Sequence, residues 1–95
     1  MNLEKSVVEF VGTYLALLAI VLAATKIPKY VSLVVGLAFF IVVFIFQDIS
    51  ANFNPAITVM LVALKKQPTM DLLTIVLPQI FAGLAVAQTF KMLKL

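Results

Sequence analysis

The stretch "ISANFNPAITVMLVAL", Ile49 to Leu64, mixes a Ser, two Asn and a Pro with an apolar second half, and it lies between two long apolar runs. Residues such as Asn, Ser and Pro ordinarily mark a solvated turn. Here the turn chemistry also suits a helix start. Asn54 is a favoured N-cap, and Pro55 fits the first helical position, where its missing N–H costs nothing. The helix begun there, Pro55 to Leu64, reaches about 15 Å, half of a hydrocarbon core of about 30 Å. It is apolar all round and lacks the charged face of a helix lying flat on a membrane surface. The segment therefore reads as a re-entrant loop and half-helix over 48–64. Irregular backbone at that depth is tolerated where it is buried in protein or lines a water-filled cavity.

The surrounding chain supplies the membrane. Hydrophobic residues make up 64% of the 95 residues and charged residues 12%, against about 45–50% and about 25% in ordinary soluble domains. A soluble chain this short could not bury that much apolar surface. Spans are expected over 7–25, 31–47 and 72–90. The first is closed by the two Lys and the Pro of "TKIPKY", and the third comes after "KKQPTMD", where Pro68 and Asp71 suit a helix start. The fold class is thus an all-α integral membrane protein, multi-pass, with three transmembrane helices and one half-helix in a single unit, 1–95.

Charge and composition exclude several functions. The net charge of +3 comes from lysines at the ends of apolar runs, not from a basic patch, so nucleic acid is not an expected partner. With no Cys, no His and four scattered carboxylates, neither a thiolate nucleophile nor a metal site is expected. No catalytic residues and no cofactor are expected, and the chain does not read as an enzyme.

A half-helix starting at the midplane aims the positive end of its dipole and its free N–H groups at that point. The Asn54 amide adds donors. Such a site hydrogen-bonds the oxygen of water or an alcohol and repels cations. One half-helix gives half of the site, and with no internal repeat the other half must come from another chain. The lysines bear on this. Three spans put Lys5, Lys65 and Lys66 on one side and Lys26, Lys29, Lys91 and Lys94 on the other. Orientation is set by asymmetry of positive charge, and a split this even suits insertion both ways, as an antiparallel homodimer requires. Gly12/Ala16, Ala19/Ala23 and Gly83/Ala87 are small pairs at four-residue spacing that allow close helix approach.

Along nearly its whole length the chain resembles the N-terminal half of the aquaporin and glycerol-facilitator (major intrinsic protein) family. "EFVGTYLALL" is similar to the family's first helix, "VSLVVGLAFFIVVFIFQDIS" to the second with Gly36 at the usual glycine, "NPAITV" to the first Asn-Pro-Ala motif, and "PQIFAGLAVA" to the third helix. The resemblance implies half an aquaporin fold completed by an inverted second copy, with Asn54, Pro55 and Ala56 at the midplane. It implies that Glu9 and Gln79 hydrogen-bond the backbone of the loop. It also marks departures. Ile57 stands where the family's second motif has a filter Arg, Val35 replaces a bulky aromatic, and Val43 or Val42 would occupy the filter position of the fifth helix. "SANFNPA" is one residue shorter than usual before the motif.

The expected function is a passive channel for water, and for glycerol or other small neutral solutes through the wider Val/Ile mouth. Its partners would be membrane lipid and a second, inverted copy, with a tetramer of dimers if the family's assembly carries over. Two alternatives stand beside it. One is a half-channel that conducts nothing or needs a different second half. The other is a small dual-topology secondary transporter, for which Glu9 is the one intramembrane carboxylate.

Overall fold

The computed structural model describes residues 2–95. The order is α1 (Leu3–Lys26), a short 3-10 turn (Pro28–Tyr30), α2 (Val31–Phe46), α3 (Pro55–Ala63), α4 (Asp71–Thr74) and α5 (Val76–Met92). Three helices are long and apolar enough to cross a membrane: Leu3–Lys26, Pro28–Phe46 and Asp71–Met92. The first starts earlier than its apolar run. The Asn2 side chain accepts from the Lys5 N–H at 3.1 Å and caps a polar first turn that hydropathy alone does not register.

Helix α1 is the middle of the arrangement, packed on α2 at one flank and on α5 at the other, while α2 and α5 do not meet. The pairs Lys5–Asp71, Ser6–Thr74, Glu9–Gln79 and Tyr14–Thr89 rise together, so α1 and the third span run in the same direction. Much of α2 meets no other part of the chain: Phe40 and Phe44 are each 67% exposed. An apolar helix left this bare in water would be an aggregation liability, whereas lipid or a second helix surface covers it at no cost.

The third span is expected from sequence as one helix, yet its regular geometry breaks at Ile75 (φ −110°, ψ −48°). Pro78 is the cause. It has no N–H to give to the Thr74 carbonyl one turn back. The Ser6 hydroxyl donates to that carbonyl instead, at 2.6 Å. One turn away Lys5 reaches Asp71, which is 3% exposed, with Nζ 3.1 Å from Oδ2. Two side chains of α1 thus hold the distorted start of the third span. Ser6→Ala leaves the Thr74 carbonyl without a donor in a buried setting and is expected to cost about 1–2 kcal/mol. The check is the midpoint of an SDS unfolding titration from mixed micelles, where a midpoint equal to that of the parent chain would rule the role out.

Between α2 and α3 the chain packs against α1. The Phe53 ring lies against Gly12, nine residues into α1, or about 14 Å along it. It also meets Phe46 edge-on, with ring centroids 6.2 Å apart. A Cβ on Gly12 would overlap this ring, with Cζ at 2.6 Å. Gly12→Ala is therefore expected to destabilise the fold by about 1–3 kcal/mol through overpacking. Shrinking the ring should return part of it: Gly12→Ala with Phe53→Leu should cost less than the two single changes added. Strict additivity in the same titration would rule the contact out. The other two glycines differ. At Gly83 a Cβ would meet Leu17 Cδ1 at 3.9 Å, an ordinary contact, and at Gly36 it would meet nothing within 4 Å. Within one chain only Gly12 meets a neighbour too close for a Cβ, and that neighbour is a loop side chain and not a helix.

Candidate functional site

The site is built around one carboxylate. Glu9 is fully buried, and both of its oxygens accept two hydrogen bonds. Oε1 takes the Phe53 N–H at 2.8 Å and the Gln79 amide at 3.0 Å. Oε2 takes the Ser50 hydroxyl at 2.5 Å and the Asn52 N–H at 2.9 Å. A carboxylate has roughly four acceptor positions, and here each has a donor. Gln79 is oriented by the same logic: because the carboxylate only accepts, its NH₂ must face Glu9. Its Oε1, with Thr13 Oγ1, is left without a partner among the described residues.

This arrangement fixes the loop before α3. Phe53 has φ +53°, a left-handed backbone that disfavours a bulky side chain. Its N–H bond to Glu9 and its buried ring hold it there. A second set of bonds ties the loop to α3, to Gln67 beyond it and to the third span. The Asn52 amide donates to Thr58 Oγ1 at 2.9 Å and to Gln67 Oε1 at 2.8 Å, and Gln79 reaches the same hydroxyl at 3.4 Å. Thr58 is fully buried and joins the loop, α3 and the third span.

At the start of α3, Asn54 is the N-cap, its Oδ1 accepting from the Ala56 N–H at 2.8 Å. Pro55 has no N–H, and the Ile57 and Thr58 N–H groups bond the Asn54 carbonyl at 3.0 and 3.2 Å. Free N–H groups of α3 at this helix start are therefore not what the structure offers. The cap and a tight first turn consume those of α3 itself, and the donors left are the N-cap's own, the Asn54 backbone N–H and Nδ2, neither with an acceptor among the described residues. The loop shows the opposite polarity. Its N–H groups at Ile49 and Ser50 bond the Phe46 carbonyl, and those at Asn52 and Phe53 bond Glu9. No hydrogen bond within the described residues reaches the carbonyls of Asp48 to Phe53. The carbonyls of Asp48 to Phe53, the Ala51 N–H and the Asn54 side-chain amide are thus without partners among the described residues.

Asn54, Pro55, Ala56 and Ile57 are all exposed on this single chain, while Val35 and Val43 on α2 are half-buried. Val43 packs against the core that holds Phe53, and Val35 lies two turns further along the helix. The structure brings together Glu9, Gln79 and the loop before Asn54. It adds Ser50, Asn52, Thr58 and Gln67, which sequence reasoning did not assign. For Thr58 a signal existed: it is the one polar side chain in "PAITVMLVA", and it stands four residues after Asn54. No family model, no curated protein and no solved structure matches this chain.

Proposed function

We propose that the chain is one half of a passive membrane channel for water and small neutral solutes, akin to half an aquaporin and completed by a second, inverted copy. In this reading 48–64 enters the membrane and returns to the same side, with Asn54 near the midplane. The observation that carries the reading is the division of labour in the loop. Glu9 takes the Asn52 and Phe53 N–H groups into the protein, which leaves the carbonyls of Asp48 to Phe53 and the Asn54 amide to a permeating molecule. Water or an alcohol both donates and accepts, so it can exchange its hydration for those groups. A bare cation gains nothing at the Asn54 amide or at the positive end of α3. The contact of Phe53 with Gly12, well inside α1, supports the depth.

Inverted pairing is supported by what a single chain leaves uncovered: the start of α3 and most of α2. It is also supported by the near-even division of lysines between the two sides. Ile57, Val35 and Val43 would then face the mouth from both copies without an Arg, giving a wider and less polar filter that admits glycerol.

Reconstitution of the chain alone into liposomes tests the proposal, with osmotic shrinkage followed by stopped-flow light scattering. Water flux several-fold above empty liposomes, with rapid re-swelling in glycerol, is expected. A cysteine introduced at Lys66 should be labelled to about half by an impermeant maleimide from outside, since the chain has no other cysteine. Flux at the lipid background from folded, inserted protein would sink the self-sufficient channel. Labelling that is all or none would sink the inverted pair.

A further inference from the structure

We infer that the end of α1 and the start of α2 form a seat for an anionic phospholipid, its headgroup on Lys26 and Lys29 and an acyl chain in the groove below them. The inference rests on the three membrane-crossing helices alone and not on the channel reading.

The first observation is the distribution of charge. After one span and after three, the chain is on the same side of the membrane, which gathers Lys26, Lys29, Lys91 and Lys94 at one end of the molecule. All four are exposed, and no side-chain carboxylate is at that end. The acidic residues are all at or near the other: Glu4 and Glu9 in the first turns of α1, Asp48 after α2 and Asp71 at the start of α4. There Lys5 is paired with Asp71, and three lysines in all stand against four carboxylates, Glu4, Glu9, Asp48 and Asp71. One end is self-neutralised. The other presents four uncompensated cations at the depth where lipid phosphates lie.

The second observation is independent of charge. A groove of about 410 Å³ opens between α1 and α2 directly beneath Lys26, lined by Ala19, Leu22, Ala23, Ile27 and Val34. Its floor is made of alanines, so a chain of methylenes can lie close to the helix backbones. Tyr30, at the start of α2, has Lys29 Nζ 5.8 Å from its ring centroid, and tyrosine favours the membrane interface. Cation above and apolar slot below match a phospholipid, whereas a soluble anion would use only the lysines. An inverted second copy would bring its Glu4, Asp48 and Asp71 to this side of the membrane, and it is the alternative occupant that the Ala19→Leu variant separates from lipid.

The test uses purified, delipidated protein in detergent, with phosphatidylglycerol or phosphatidylcholine added back and bound lipid counted by native mass spectrometry. Phosphatidylglycerol should be retained over phosphatidylcholine. Lys26→Gln with Lys29→Gln should lower its retention by about tenfold, whereas Lys65→Gln with Lys66→Gln should change it less than about twofold. Ala19→Leu, which fills the slot, should lower retention with every lysine in place. Circular dichroism and the SDS midpoint of the lysine variants should match the parent chain, since those side chains are exposed, and for half-buried Ala19 circular dichroism checks that the helices are retained. Equal retention of both lipids overturns the inference, as does an equal loss in the Lys65/Lys66 variant. Displacement by free glycerol phosphate as effective as by lipid overturns it too. So does an Ala19→Leu variant that alters self-association but not lipid retention.

Discussion

Glu9→Gln is expected to lower stability by about 1–3 kcal/mol and to reduce water flux to a small fraction of the parent value, although the two side chains have nearly the same shape. The carboxylate accepts from four donors, two at each oxygen. An amide has one accepting oxygen and one NH₂, so the NH₂ must be turned towards two donors. If it takes the Oε2 place, the Ser50 hydroxyl can rotate to accept, but the Asn52 N–H loses its partner. If it takes the Oε1 place, the Gln79 amide can flip and present its free oxygen, but the Phe53 N–H loses its partner. Either way one buried backbone N–H is orphaned, and the surviving bonds lose the strength that a charged acceptor gives. The second outcome is the more damaging, because the Phe53 N–H bond helps hold a left-handed residue in place. Glu9→Leu, which removes all four bonds, should cost more than Glu9→Gln. The midpoint of SDS unfolding and the flux in liposomes are read on the same preparations. A Glu9→Gln protein within about 0.5 kcal/mol of the parent, conducting normally, would show that the carboxylate does not organise the loop.

That prediction depends on contacts that the sequence reveals unevenly. The long apolar runs expose α1 and α2, and Asn54–Pro55 exposes the start of α3, because capping and proline chemistry act over three or four residues. The meeting of Glu9 with Ser50, Asn52 and Phe53 links positions more than forty residues apart, and no local pattern encodes it; only the family resemblance suggests it. The break at Ile75 is the mixed case. Pro78 is visible in the sequence, but whether a kink forms depends on a donor for Thr74, which comes from Ser6 across the helix pair. Thr58 and Gln67 show the same limit from another side. Each reads as a lone polar residue until Asn52 is seen to donate to both. Gly36 errs in the other direction: a glycine in an apolar helix suggests a close neighbour, and within this chain it has none.

Asn54→Val and Asn54→Asp together should separate the two tasks of one side chain. Its Oδ1 caps α3 through the Ala56 N–H, and its Nδ2 is the donor left over. Valine removes both. It should cost about 1 kcal/mol in the SDS titration for the lost cap and bring water flux close to that of empty liposomes. Aspartate keeps an oxygen for the Ala56 N–H, and its negative charge is favourable at a helix N-terminus. Its midpoint should equal or exceed the parent value. What it lacks is the donor, and in its place it sets an acceptor with a charge. In an inverted pair each substitution is present twice in the same pore, so the effect on a molecule at the midplane is doubled while that on each half-helix is not. Water flux through Asn54→Asp should fall several-fold with the fold intact, and two facing carboxylates should admit cations that the parent excludes, since rings of acidic side chains select for them. A pH-sensitive dye inside the liposomes, with an imposed proton gradient, reads that leak directly. If Asn54→Asp conducts water as the parent does and stays tight to protons, the Asn54 amide is a cap and nothing more, and the donor role fails even though the half-helix stands.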